Sequence, residues 1–306
     1  MHKQLYGCID LGSNMCRTLI AIKNTRTPLG YNIIKSVSST AKLGDNIKEE
    51  YISSKSLDRT ISVLQNHASI LNEYNLVSVE YVATAIFRFA NNCVSVLDKI
   101  RETTNIQFRI IDPGEEIFLA ARGCSDVMPS TLCIVIDMGG CSTEIALCQN
   151  YGNCDIEIKE WISLPYGIFS VQNLQEYPFL STASHKILME FIYRCKKYKS
   201  VIPILLCRSG VMTTLCTYMC KISYLDGTIM HGKIFTMPDV LIALQDLSSM
   251  SKKTLISQSF ISNRKYLSKT RGSIIFIYNI LKLMPSNILI TANGGVREGI
   301  ISMLCK

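Results

Sequence analysis

The sequence predicts an α/β fold in two domains. Three observations carry that prediction: a length beyond one ordinary core, short apolar strands alternating with helix-period segments, and one strand–turn–strand pattern that occurs twice. At 306 residues the chain passes the roughly 250–300 residues at which single cores stop growing. Hydrophobic residues make up 48% of the composition and charged residues 18%, which is enough apolar surface to offset chain entropy and excludes a disordered chain.

The repeated pattern is an apolar run ending in aspartate, a glycine turn with hydroxyl or amide side chains, and a second apolar run. Its copies are LYGCIDLGSNMCRTLIAI, starting at Leu5, and LCIVIDMGGCSTEIALC, starting at Leu132. Their aspartates, Asp10 and Asp137, lie a domain-sized interval apart, and both copies read as strand, tight turn, strand. Between them, residues 53–74 carry Leu57, Ile61, Leu64, Ile70 and Leu71 at helical spacing. A strand VEYVAT, a helix over 91–104, a strand FRII at 108–111 and the turn Asp112–Pro113–Gly114–Glu115–Glu116 opening a helix follow. The second half repeats the mixture with a strand at 201–207, a turn at Ser209–Gly210, a helix from Thr213 and the closing segment LITANGGVREGIISML. The expected domains are 1–125 and 126–306, with the last helix free to pack back on the first domain.

The net charge of +8 favours polyanions without choosing among nucleic acid, anionic membrane and polyphosphate. The cluster Arg194, Lys196, Lys197 and Lys199 reads as the solvated side of a helix. No export signal is expected in MHKQLYGCIDLGSN, and VIPILLC and GSIIFIYNILKLM are too short or too interrupted to span a bilayer, so a cytoplasmic location is expected. Thirteen scattered cysteines without CxxC read as reduced thiols, and Cys216 and Cys220 as helix packing. Four scattered histidines without HExxH give no basis for a metalloprotease.

The chemistry lies in the turns. Without a Cβ, a glycine turn lets backbone N–H groups converge on an anion. Gly12, Ser13 and Asn14 form one candidate cradle, and Gly139, Gly140, Cys141, Ser142 and Thr143 the other. Each alone reads more simply as an ordinary hairpin, which needs Gly and Asn for backbone reasons. Two copies, each preceded by an aspartate suited to Mg²⁺, favour phosphate chemistry.

The set IDLGSN, ATAIFRFANN, IDPGEE, IDMGGCSTEI, LPYGIFSV and GGVREGII resembles the exopolyphosphatase and guanosine pentaphosphate phosphohydrolase (Ppx/GppA) family, in a short two-domain form. The resemblance implies two actin-like, ribonuclease-H-like domains of the actin and sugar-kinase superfamily, with the active site in the cleft between them. It implies Mg²⁺-dependent hydrolysis of terminal phosphate from polyphosphate or guanosine pentaphosphate. By position, Glu116 is similar to the glutamate that activates water and Arg88 to the phosphate-binding arginine. Asp137 and Glu144 are similar to the acidic residues flanking the second loop that serve metal binding or water activation, and Asp10 to the equivalent in the first, so that Asp137 is an expected catalytic residue beside Glu116 and Arg88, and Asp10, Asp137 and Glu144 are the expected metal ligands. Cys141 stands where the family has a third glycine, and Val211 where it often has threonine. The substrate is the only expected partner, with no nucleic acid and no membrane, and the resemblance suggests a homodimer. An ATP-dependent kinase or ATPase of the same fold and a non-catalytic alarmone- or polyphosphate-binding sensor are the alternatives.

Overall fold

The computed structural model describes residues 4–45, 50–171, 182–198, 203–221, 230–257 and 267–306. Its strands form two sheets with one shared plan. In the first, β1 (Leu5–Leu11), β2 (Met15–Lys23), β3 (Tyr31–Thr40), β4 (Leu76–Ala83) and β5 (Arg109–Ile110) lie in the order β3-β2-β1-β4-β5. In the second, β6 (Leu132–Met138), β7 (Thr143–Asn150), β8 (Ile156–Leu164), β9 (Ile204–Arg208), β10 (Ile234–Thr236) and β11 (Ile288–Thr291) lie in the order β10-β11-β9-β6-β7-β8. Each sheet opens with an antiparallel meander and then adds parallel strands, β4 on β1 and β9 on β6. This is the actin-like, ribonuclease-H-like plan, present twice.

Helix α1 (Ser54–Asn72) starts where Ser53 caps the amide of Ser56, and it buries Leu64, His67 and Leu71 against β2 and β3. With α2 (Ile86–Phe89) and α3 (Cys93–Thr104) it covers one face of the first sheet. Helices α5 (Thr182–Cys195), α6 (Gly210–Met219), α7 (Met237–Ser249), α8 (Lys252–Ser257) and α9 (Leu267–Leu283) belong to the second half, whose core they share with one face of the second sheet.

The two remaining helices lie together between the sheets. Helix α4 (Pro113–Arg122) packs on β6, β7 and β8, while the C-terminal α10 (Val296–Leu304) packs on α4, β1 and β2. One continuous core results, with Cys8, Leu19 and Val82 from the first sheet, Ile117 and Ala120 from α4, Val135 and Ala146 from the second sheet, and Ile300 and Ile301 from α10.

Several boundaries differ from expectation. Helix α3 starts at Cys93 rather than 91, because the Asn92 side chain bridges the backbone of Ile52 instead of continuing a helix. Helix α6 starts at Gly210, not Thr213, and buries Val211. Strand β5 is only two residues long. Of the strand expected at 201–207, residues 201–202 lie outside the described residues and the strand itself runs from Ile204 to Arg208. Cys220 caps α6 and is exposed, whereas Cys216 is buried. Arg194 and Lys197 both pair with Glu160, while Lys199 lies outside the described residues. Of the basic residues Lys252, Lys253, Arg264, Lys265, Lys269 and Arg271, which in the sequence could form a lip for a polyanion but read more simply as a solvated loop, Arg264 and Lys265 lie outside the described residues. No helix among the described residues is long and apolar enough to cross a membrane.

Candidate active-site cleft

Both glycine turns are closed by the same hydrogen bond: Gly12 N–H donates to Met15 O at 2.8 Å and Gly139 N–H to Ser142 O at 2.9 Å. These two amides serve the hairpins and are not free for an anion. The turn carbonyls are tied back from outside. Ala41 and Lys42 N–H both donate to Asn14 O, and Gly44 N–H donates to Ser13 O. In the second half, Ile168 and Phe169 N–H donate to Gly139 O and Gly140 O. With the carbonyls held outward, the amides of Ser13, Asn14, Gly140 and Ser142 pair with no acceptor among the described residues.

The turns also meet. A Cβ on Gly140 would come 2.9 Å from Ser13 Cβ and 3.2 Å from Asn14 N, so this position holds glycine for close approach. Gly140→Ala is therefore expected to wedge the turns apart and lower kcat/KM about a hundredfold with little change in melting temperature. Steady-state kinetics beside a thermal melt check it.

A cavity of about 320 Å³ lies beneath the turns. Gly12, Ser13, Asn14, Gly139, Gly140 and Ser142 line it, as do Asp10, Asp137 and Glu116. Cys141 and Thr143 do not. The Thr143 hydroxyl donates to Tyr166 O at 2.7 Å and so fixes the loop after β8. Cys141 faces Gly44 and Phe169, where a Cβ on Gly44 would stand 2.9 Å from its sulfur; burial raises the thiol's pKa.

Glu115 and Glu116 part company. Asp112 caps α4 by accepting the amide of Glu115 at 2.9 Å, and the helix then turns Glu115 outward to Arg109 and Glu116 inward to the cavity. Arg88 holds Glu116 through Nη1 at 2.6 Å, Glu144 through Nη2 at 3.3 Å and Ile111 O through Nη1. In this state it bridges two carboxylates and does not itself line the cavity. Glu144 also accepts from Ser163 Oγ at 3.0 Å and is buried off the cavity wall. Burial raises the pKa of Glu116, and neighbouring Glu144 adds to the rise against the opposing pull of Arg88. Burial likewise lifts Glu144 to about 7.

The aspartates stand at the ends of the central strands, as expected, and each has an arginine that the sequence reading overlooked. Asp137 Oδ1 accepts from Arg208 Nη1 at 2.6 Å, whereas Asp10 lies 3.8 Å from Arg17, too far for a hydrogen bond. Register was the available signal, since Arg17 pairs with Asp10 across β1–β2 and Arg208 with Asp137 across β6–β9. Among the described residues no group of three or more His, Cys, Asp or Glu forms a ready metal cage.

Two ribonuclease-H-like halves with their glycine turns, arginines and carboxylates gathered at one cleft define a two-lobed protein of the actin-like class. Residues 21–306 match the Ppx/GppA phosphatase family, and the chain belongs to that family. It is similar in fold to the Aquifex aeolicus Ppx/GppA family member, with a TM-score of 0.77 at 23% identity over 98% of this chain and 97% of that one. An exopolyphosphatase from Cytophaga hutchinsonii gives a TM-score of 0.80 at 20% identity over 99% and 98%. In sequence the chain is 29% identical to a guanosine-5'-triphosphate,3'-diphosphate pyrophosphatase of Pseudoalteromonas atlantica over 150 residues, which is 47% of this chain and 29% of that protein. It is 27% identical to a bifunctional 3-dehydroquinate synthase/phosphatase of Fusobacterium nucleatum over 172 residues, 53% and 25% of the two. The chain thus spans between a quarter and three tenths of these curated relatives.

Proposed function

We propose that this protein hydrolyses the terminal phosphate of a phosphoanhydride chain, inorganic polyphosphate or guanosine pentaphosphate, and releases orthophosphate. The observation that carries the reading is a buried carboxylate, Glu116, in the same cavity as two turns in which the amides of Ser13, Asn14, Gly140 and Ser142 have no acceptor among the described residues. Phosphoryl transfer depends on positioning and on neutralising the equatorial oxygens more than on covalent chemistry. The amides of Ser13, Asn14, Gly140 and Ser142 hold the terminal phosphate. Glu116 takes the proton of the attacking water, a task suited to a carboxylate made more basic by burial. Arg88 fixes the direction of that carboxylate and opposes the charge that develops beside it.

The donor set fits Mg²⁺ in part. Among the described residues Asp10 is a buried carboxylate without a hydrogen-bonded counter-ion, and Asp137 Oδ2 stays outside the bond to Arg208. Glu144 fits less well than the aspartates, because it lies off the cavity wall and its Oε1 already accepts from both Arg88 and Ser163. Mg²⁺ bound by the two aspartates would neutralise phosphate oxygens, sharing its coordination with water and substrate.

A base must be deprotonated to act, and the Glu116–Glu144 pair titrates above the ordinary carboxylate range. The rate is therefore expected to rise with pH through neutrality, whereas a carboxylate of ordinary pKa would leave it flat above about pH 6. Phosphate release recorded from about pH 5 to 9 separates the two. The function itself is tested by phosphate release from long-chain polyphosphate, tripolyphosphate, guanosine pentaphosphate and ATP in Mg²⁺. Release from any of the first three supports the proposal. Turnover of ATP alone favours a kinase or ATPase, and binding without release favours a sensor.

A further inference from the structure

Each glycine turn is tied back by a second segment, and the two segments are supported differently. Behind the second turn, the segment with Ile168 and Phe169 is held by its own surroundings: Thr143 Oγ donates to Tyr166 O, and Gly167 N–H donates to Ser170 Oγ at 2.8 Å. Behind the first turn, residues 41–45 follow β3 and are gripped by a side chain from another element. Arg59, half-buried in the second turn of α1, donates through Nε to Ala41 O at 2.7 Å and through Nη2 to Lys42 O at 2.6 Å. One planar fork thus takes two successive carbonyls, a geometry that lysine does not reproduce. Ser56 Oγ, 3.3 Å from the same Nη2, steadies the fork from within the helix. Lys42 has φ of +51°, a left-handed conformation that a residue with a side chain keeps only when its surroundings hold it there. The two carbonyls that Arg59 takes lie on either side of that residue's Cα.

The grip reaches the turn because a trans peptide unit is planar, with its C=O and N–H pointing opposite ways. Ala41 O and Lys42 N–H belong to one such unit. Arg59 holds the carbonyl, and the N–H donates to Asn14 O at 2.9 Å, so a charged donor at one end polarises and aims the donor at the other. Two residues on, Gly44 N–H donates to Ser13 O at 2.8 Å. That carbonyl shares its peptide unit with Asn14 N–H, one of the amides without an acceptor among the described residues. Fixing Ser13 O on the side of the loop therefore turns Asn14 N–H to the opposite side of the turn, and both residues line the cavity.

We propose that Arg59 is a positioning residue for phosphate binding: it sets residues 41–45, and they set the direction of the Asn14 amide in the first turn. Arg59 does not line the cavity, so its effect passes through backbone alone. The inference rests on the proposed function, in which the turn amides hold the terminal phosphate, and deepens it.

The test joins binding to local protection. In a Glu116→Gln background, where turnover is suppressed, calorimetry in Mg²⁺ gives the affinity for tripolyphosphate, and amide hydrogen exchange gives the protection of Lys42 and Gly44. Arg59→Gln, which loses the charge and the fork, is expected to speed exchange at these two amides about tenfold while the amides of α1 and β1 keep their protection. The same substitution is expected to weaken tripolyphosphate about tenfold. Arg59→Lys, which keeps the charge but not the fork, is expected to fall between. Unchanged affinity in both variants, or weakened affinity with Lys42 and Gly44 still protected, overturns the proposal. So does loss of protection throughout α1 and the first sheet in both, which would make Arg59 a prop of the lobe and no more. A Glu116→Gln parent that binds no tripolyphosphate would sink the proposed function and the positioning role with it, a result distinct from a parent that binds and Arg59 variants that bind equally well.

Discussion

Glu116→Gln is expected to reduce phosphate release about a thousandfold while the protein stays folded. The substitution keeps the shape of the side chain and an oxygen that accepts from Arg88 Nη1, now 2.6 Å from the carboxylate. It removes a buried cavity carboxylate that, among the described residues, Arg88 alone engages, whereas Glu144, off the cavity wall, is held by both Arg88 and Ser163. Stability is expected to change little, and the sign follows from the titration. Burial raises the folded-state pKa of Glu116, so its ionised form is disfavoured on folding, and replacing it with a neutral group relieves that cost. Against this stands the weaker bond to Arg88. Glu115→Gln is the matched control, because Glu115 sits one residue away in a surface pair with Arg109 and is expected to leave the rate near wild type. Phosphate release by both variants beside a thermal melt decides the matter. A Glu116→Gln protein that releases phosphate at the wild-type rate would remove Glu116 from the chemistry.

The features legible in the sequence were those that local chemistry dictates. The two hairpins could be read because strand, glycine turn and strand leave a pattern of a few residues, and Asp10 and Asp137 fall at its fixed position. Glu116 could be placed because Asp112 and Pro113 mark a helix start, but only the helix turn itself separates it from Glu115. Arg208 was not legible. Its partner Asp137 is reached across a parallel pairing of β6 with β9, and such pairing connects segments far apart in the chain. The bridge from Arg88 to Glu116 and Glu144 escaped for a similar reason, since it joins three separate elements. Thr143 looked like a phosphate ligand by adjacency to the turn. The strand that begins there points its hydroxyl away to Tyr166 O, as side-chain alternation requires.

Gly299→Ala is expected to destabilise the protein by about 3 kcal/mol or more, a large effect for one methyl group. Helices α4 and α10 cross with their backbones in contact. A Cβ on Gly299 would fall far inside van der Waals range of Leu119 O, and one on Gly123 would collide with Gly295 O and Gly299 N. Neither obstacle is the tip of a flexible side chain; both are backbone atoms of a neighbouring segment, so the only relief is to move the helices apart. That motion opens the core in which both sheets meet, because α10 rests on β1 and β2 while α4 rests on β6, β7 and β8. It also displaces Glu116, which rides on α4, relative to turns anchored in the sheets. The methyl group is therefore expected to lower the melting temperature by on the order of 10 °C and to reduce kcat at temperatures where the fold persists. Gly152→Ala separates crowding from backbone strain. Gly152 has φ of +87° but nothing within 4 Å of its missing Cβ, so only the conformational cost of about 1 kcal/mol applies there, and activity is expected to be retained. Equal melting temperatures for the two variants would show that α4 and α10 separate without cost and that their glycines are not what holds the halves of the cleft in register.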